Sequence, residues 1–156
     1  MIDDAERLAA LRASGLLDKD TAARLDHLAF AAARLVLADV AQINAVDHET
    51  TYTVVGWPPG VWPDKPARLT GCWEIIRLGR PLIVNDANTH PITCNLPWVP
   101  IMQSYLGVPV FFDTHVVGSV CVLSAEPRTW KSMEICALEG VARLVGMSLE
   151  DAPLRS

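Results

Sequence analysis

Residues 105–128 read YLGVPVFFDTHVVGSVCVLSAEPR, two apolar runs meeting at Asp113-Thr114, with Gly107, Pro109 and Gly118 set inside them. A short polar pair between two runs rich in Val, Phe, Tyr and Leu predicts an antiparallel hairpin. An amphipathic stretch follows directly, from Trp130 to Glu150. It sets Met133, Cys136, Ala137, Val141, Leu144, Val145 and Ser148 along one helical face. A hairpin feeding a C-terminal helix fixes an α+β class with a largely antiparallel sheet.

The elements upstream are read outward from that anchor. A short helix is expected over residues 3–13, carrying Leu8 and Leu11 and ended by Gly15, and Asp18 or Asp20 then caps a second helix. From Thr21 to Leu37 the apolar residues Ala22, Leu25, Leu28, Ala29, Ala32, Leu35 and Val36 recur at intervals of three and four. Val40 to Asp47 and Thr51 to Trp57 read as two strands around a turn, and the first alternates Gln42 and Asn44 with Ala41, Ile43 and Ala45. Polar side chains there imply a wet pocket, hydrogen bonding across the sheet, or an exposed face. Pro58, Pro59, Pro63 and Pro66 make the next segment a long loop. Thr70 is expected to cap a helix from Gly71 to Leu78 that stops at Gly79, before a short strand Leu82 to Asn85 and a turn-rich segment from Asp86 to Pro100.

The 156 residues make one domain, with residues 1–18 as a helical extension at its N-terminus. The net charge of -5 is spread along the chain, with no basic footprint for nucleic acid. Polar residues interrupt every apolar run before the ~18 residues a membrane helix needs. The start, Met1-Ile2-Asp3-Asp4, is acidic where a secretory signal is basic, which sets the expectation of a cytoplasmic protein. Four cysteines, Cys72, Cys94, Cys121 and Cys136, contain no CxxC pair and are expected as free thiols. Cys121 and Cys136 lie in apolar patterns and read as structural.

The order of elements, together with several short motifs, resembles the GAF domain family, in particular its bacterial sensor type. The motifs are Arg7 to Leu11, Gly15 to Asp18, Val46-Asp47, Gly79 to Val84 with Asp86-Ala87, Tyr105 to Pro109, Gly118 to Val122 and Pro127-Arg128. The resemblance implies a five- or six-stranded antiparallel sheet, terminal helices on one face and a small-molecule pocket on the other. Loop 58–69, helix 71–78 and segment 86–104 would roof that pocket. It implies a non-catalytic sensor or regulatory module in signal transduction, passing its signal to a separate output protein or between subunits, since the chain ends at Ser156 without an output domain. Leu8, Leu11, Leu144 and Leu149 are the residues expected to join a homodimer through the terminal helices. The ligand and any cofactor are left unassigned. Two familiar ligands of such domains lack their motifs. The Asn-Lys-Phe-Asp-Glu signature of cyclic-nucleotide regulatory domains is absent, and Cys72 is followed by Trp73 where many bilin-carrying relatives have Cys-His.

The residues expected around the pocket are Trp57, Trp62, Cys72, Trp73, Asn85, Asp86, Trp98 and Tyr105. Aromatic walls with few polar groups suit a flat or apolar ligand, or else the rings fill the space themselves. Cys72, in the first turn of its helix, is placed to favour a thiolate. With Cys94 it supports an alternative: stand-alone family members that reduce free methionine sulfoxide carry cysteines at similar places, one to attack sulfur and one to resolve the sulfenic acid. The acidic residue those enzymes place before the Val-Pro strand motif is replaced here by Tyr105-Leu106-Gly107. Cys72, His90 and Cys94 match no closed zinc pattern, so no metal is expected, and His27, His48 and His115 read as surface residues.

Overall fold

The computed structural model describes residues 4–150. The hairpin is formed by β5 (Ser104–Phe112) and β6 (His115–Ser124), with Phe112 opposite His115. Asp113 and Thr114 turn the chain with φ of 51° and 66°, as the tight two-residue loop between twisted strands demands. β6 pairs on its other side with β1 (Val40–Val46), which pairs with β2 (Thr50–Trp57). A two-residue strand, β3 (Lys65–Pro66), extends one edge and β4 (Leu82–Val84) the other. The result is a six-stranded antiparallel sheet in the order β3-β2-β1-β6-β5-β4. β3 falls inside the proline-rich loop, where Pro66 is tolerated because the strand is an edge.

One face of the sheet carries α1 (Ala5–Ser14), α2 (Thr21–Val36) and α4 (Ser132–Glu150) over a core that includes Leu25, Ile43, Leu106, Val108, Val120, Leu138 and Leu149. The opposite face carries a 3-10 turn (Ala67–Leu69), α3 (Cys72–Leu78) and the irregular stretch before β5, over a separate core that includes Ile75, Val84, Val99, Tyr105 and Leu123. Alternation in β1 and β6 separates the two cores: Ile43 and Val120 face the helices, while Asn44, Cys121 and Leu123 face away. Arg7 pins α1 to the strand ends: its guanidinium is buried and donates to the carbonyls of Val46 (2.8 Å), Val116 (3.2 Å) and Asp47 (2.8 Å).

Four local expectations need correction. The inner face of α4 is Leu138, Val141, Ala142, Val145, Gly146 and Leu149; Met133, Cys136 and Leu144 lie outside it and are exposed. The cause is close approach to β5: a β-carbon at Gly146 would sit 2.9 Å from the Phe111 carbonyl oxygen, so the smallest residues face the strand. Cys136 is therefore a surface thiol. Thr70 does not cap α3, because its hydroxyl donates to the Ala67 carbonyl at 2.8 Å and closes the 3-10 turn, leaving Gly71 at the N-cap position. Asp20 occupies the cap position of α2 without a side-chain cap bond. Among the described residues no helix is long and apolar enough to cross a membrane.

Candidate functional site

On the face away from α1, α2 and α4 lies a pocket of about 280 Å³. Its floor comes from alternate residues of β1, β6 and β5: Gln42 and Asn44, Cys121 and Leu123, and Tyr105. Thr51 and Thr53 of β2 and Cys72 at the start of α3 complete it, while Trp62, Trp98, Ile101 and Met102 form the cover. Tyr105 can lie flat there because glycines face it: a β-carbon at Gly71 or Gly107 would meet its ring or hydroxyl at 2.6 Å or 2.4 Å. The Trp98 ring packs over Tyr105 with centroids 5.7 Å apart. The indole N–H of Trp62 is buried and has no hydrogen-bond partner among the described residues.

The polar part of the floor is a connected network. Ser119 Oγ lies 3.1 Å from Cys72 Sγ and 3.3 Å from Cys121 Sγ. Asn44 Nδ2 donates towards the same two sulfurs at 3.5 and 3.6 Å, and its Oδ1 accepts from Thr53 Oγ1 at 3.1 Å. Tyr105 Oη sits 2.9 Å from Cys121 Sγ. Hydrogen bonding from Cys121 brings the Cys72 thiol down to about 7 against the opposing effect of burial, with further bonds from Ser119, Thr70 and Asn44. Burial and the neighbouring Cys72 push Cys121 well up, and burial with the adjacent sulfurs does the same to Tyr105. Of the two thiols Cys72 is thus the one that gives up its proton more readily, and Cys121 the one that keeps it.

Of the residues expected here, Trp62, Cys72, Trp98 and Tyr105 line the pocket. Trp57 does not: it is the cross-strand partner of Ala41, which faces the helices, so its ring is directed to that side and meets Phe30 edge-on at 5.8 Å. Trp73 packs half-buried beside the second core, outside the lining. Asn85 accepts from the Trp130 backbone N–H at 3.0 Å, and Asp86 closes its own turn on Asn88 at 3.0 Å, so both serve the chain path. Cys94 is exposed, with its thiol directed at the Pro91 carbonyl 4.0 Å away, and is apart from Cys72. Cys72 is instead joined by Cys121, a buried residue of the second core that also lines the pocket. The Ser119-x-Cys121 alternation was the signal for it, as Gln42-x-Asn44 was in β1. Leu11 and Leu149 lie in the chain's own core, Leu8 is half-buried and Leu144 is exposed. No group of three or more His, Cys, Asp or Glu side chains among the described residues is arranged to hold a metal ion.

This architecture is shared. The family model of the GAF domain matches residues 20–149, and the chain belongs to that family. No curated protein matches it significantly. Among solved structures, the GAF domain of Acinetobacter phosphoenolpyruvate-protein phosphotransferase superposes with a TM-score of 0.72 at 15% identity, covering 94% of each chain. The free methionine-R-sulfoxide reductase of Neisseria meningitidis, solved with its substrate, gives 0.71 at 18% identity over 96% of this chain and 94% of that one. The blue-light absorbing form of the Thermosynechococcus elongatus PixJ GAF domain gives 0.70 at 24% identity over 87% and 88%. These likenesses establish the fold.

Proposed function

We propose that this GAF domain is a sensor or regulatory module that binds a compact small molecule between the sheet and the Trp62–Trp98 cover, without catalysing its conversion. The observation that carries this reading is the pocket itself: about 280 Å³, mostly apolar walls, and a few polar groups gathered on one floor. Its size lies at the lower end of the ~300–1,000 Å³ usual for ligand sites, which favours a small metabolite over a long chain-like one. A flat, largely apolar body suits the aromatic cover of Trp62 and Trp98. Such a module hands its signal on, and the exposed Leu144 and Met147, three residues apart on α4, offer an apolar surface to a second copy.

Reduction of free methionine sulfoxide is the second reading. It has in its favour the thiolate character of Cys72 inside the pocket and a fold in common with such reductases. It ranks second because Cys94, its expected second thiol, is exposed and outside the lining. Thermal denaturation against a metabolite panel tests the first reading. A ligand at a hundred times its Kd is expected to raise Tm by roughly 5–10 °C, an effect lost in Trp98→Ala. Turnover of free methionine sulfoxide, abolished by Cys94→Ser, would replace the sensor reading with the enzyme.

A further inference from the structure

We propose that Cys72 and Cys121 are a redox pair at the floor of the pocket, which an organic hydroperoxide entering that pocket converts to a disulfide. The pair is a feature of this chain's own side chains and stands whatever ligand the module senses.

The two sulfurs come from different elements, the first turn of α3 and the central strand β6, yet they share both the Ser119 hydroxyl and the Asn44 amide. A structural cysteine sits among apolar atoms and needs no such company. Here the donors serve a thiolate, and the second thiol, held by Tyr105, keeps a proton. Attack needs one sulfur ionised as nucleophile, and the proton kept on its neighbour is the one the sulfenic hydroxyl takes as it leaves. Lys65 is the sole charged residue on the lining. Two sulfurs without a third ligand do not make an ordinary zinc site.

In the first step the Cys72 thiolate attacks the terminal oxygen of the hydroperoxide. The O–O bond breaks, Cys72 becomes a sulfenic acid, and the departing alkoxide takes a proton from water to leave as the alcohol. Cys121 then attacks the sulfenic sulfur, and its proton leaves with the hydroxyl as water. In sum, two thiols lose two electrons and the hydroperoxide is reduced to an alcohol and water. A disulfide of about 2.0 Å draws the first turn of α3 towards β6. The Asn44 amide and Ser119 hydroxyl lose their thiolate acceptor, so the floor presented to a ligand changes with oxidation.

The full-length protein, reduced and then exposed to tert-butyl hydroperoxide, provides the test by thiol counting and peptide mass mapping without reductant. Two of the four thiols are expected to disappear. A linked Cys72–Cys121 peptide pair should appear and be reversed by dithiothreitol. Cys72 should be consumed at least about tenfold faster than exposed Cys94, as a buttressed thiolate in a pocket predicts. Cys94→Ser is expected to leave the link intact, while Cys121→Ser should stop at a Cys72 sulfenic acid that dimedone traps. A link involving Cys94, or oxidation confined to Cys94 and Cys136 with Cys72 and Cys121 still reduced, would overturn the proposal. Ligand-induced stabilisation is measured separately on the reduced protein, so either result can fail without the other.

Discussion

Asp47 holds the β1–β2 turn with one carboxylate: Oδ1 accepts from the backbone N–H groups of Glu49 (2.9 Å) and Thr50 (2.7 Å), and Oδ2 from the Tyr52 hydroxyl (3.0 Å). Partial burial opposes ionisation, but those three bonds outweigh it and hold the carboxyl below its ordinary 3.8. Its stabilising effect is therefore full above the unfolded value and is lost as pH falls through the lower folded one. Asp47→Ala should cost about 1–2 kcal/mol in urea melts near neutrality, with the gap from wild type closing in strong acid. At this scale the sequence was half transparent. Trp62, Trp98 and Tyr105 could be assigned to the pocket from the segments they occupy, because the prolines around Trp62 and Trp98 exclude them from regular elements. Trp57 could not, since its side depends on pairing with Ala41 across a strand register that carries a bulge at Ile43/Asn44. Cys121's second role on the pocket floor was hidden for the same kind of reason: its neighbours in sequence are apolar, its neighbours in space are Ser119, Tyr105 and Asn44.

Between elements, the stretch joining β6 to α4 acts as a clamp. Arg128 donates to the carbonyls of Val36 (2.8 Å) and Leu37 (3.2 Å) at the end of α2, pairs with Glu134 in the first turn of α4, and lies over the Trp130 ring 4.1 Å from its centroid. Trp130 in turn donates from Nε1 to the Val84 carbonyl at 3.1 Å, tying in β4. The carbonyls at a helix end need such partners, all the more where Leu37 takes a left-handed φ of 53° without being glycine. Arg128→Ala should lower unfolding stability by about 2–3 kcal/mol, and Arg128→Lys should recover less than half of that because a single ammonium cannot span both carbonyls. Equilibrium urea denaturation measures both. The hairpin was legible because alternation and turn chemistry are local. The inner face of α4 was not, because Ala142 and Gly146 are chosen by the nearness of β5, and hydrophobicity alone favours the bulkier Met133 and Leu144. The cap of α3 failed similarly, when Thr70 found a nearer acceptor in Ala67.

At the scale of the whole molecule, the layering was readable in advance and the subunit surface less so. Two of the four leucines expected between subunits, Leu11 and Leu149, are taken by the chain's own core, which leaves the exposed Leu144, with Met147 three residues further along α4. If a second copy uses that surface, Leu144→Asp should leave the melting temperature within about 2 °C at low concentration, as exposed substitutions do, while light scattering reports a fall from dimer to monomer mass. An unchanged mass would remove this surface from consideration. The central strands meanwhile assign neighbouring positions to opposite duties. Ile43 and Val120 belong to the core under the helices, and Asn44 and Cys121, one step along, line the cavity. A lineage carrying this domain can therefore exchange what it recognises by single replacements at Gln42 or Asn44, with the scaffold's helix-side cohesion left almost untouched.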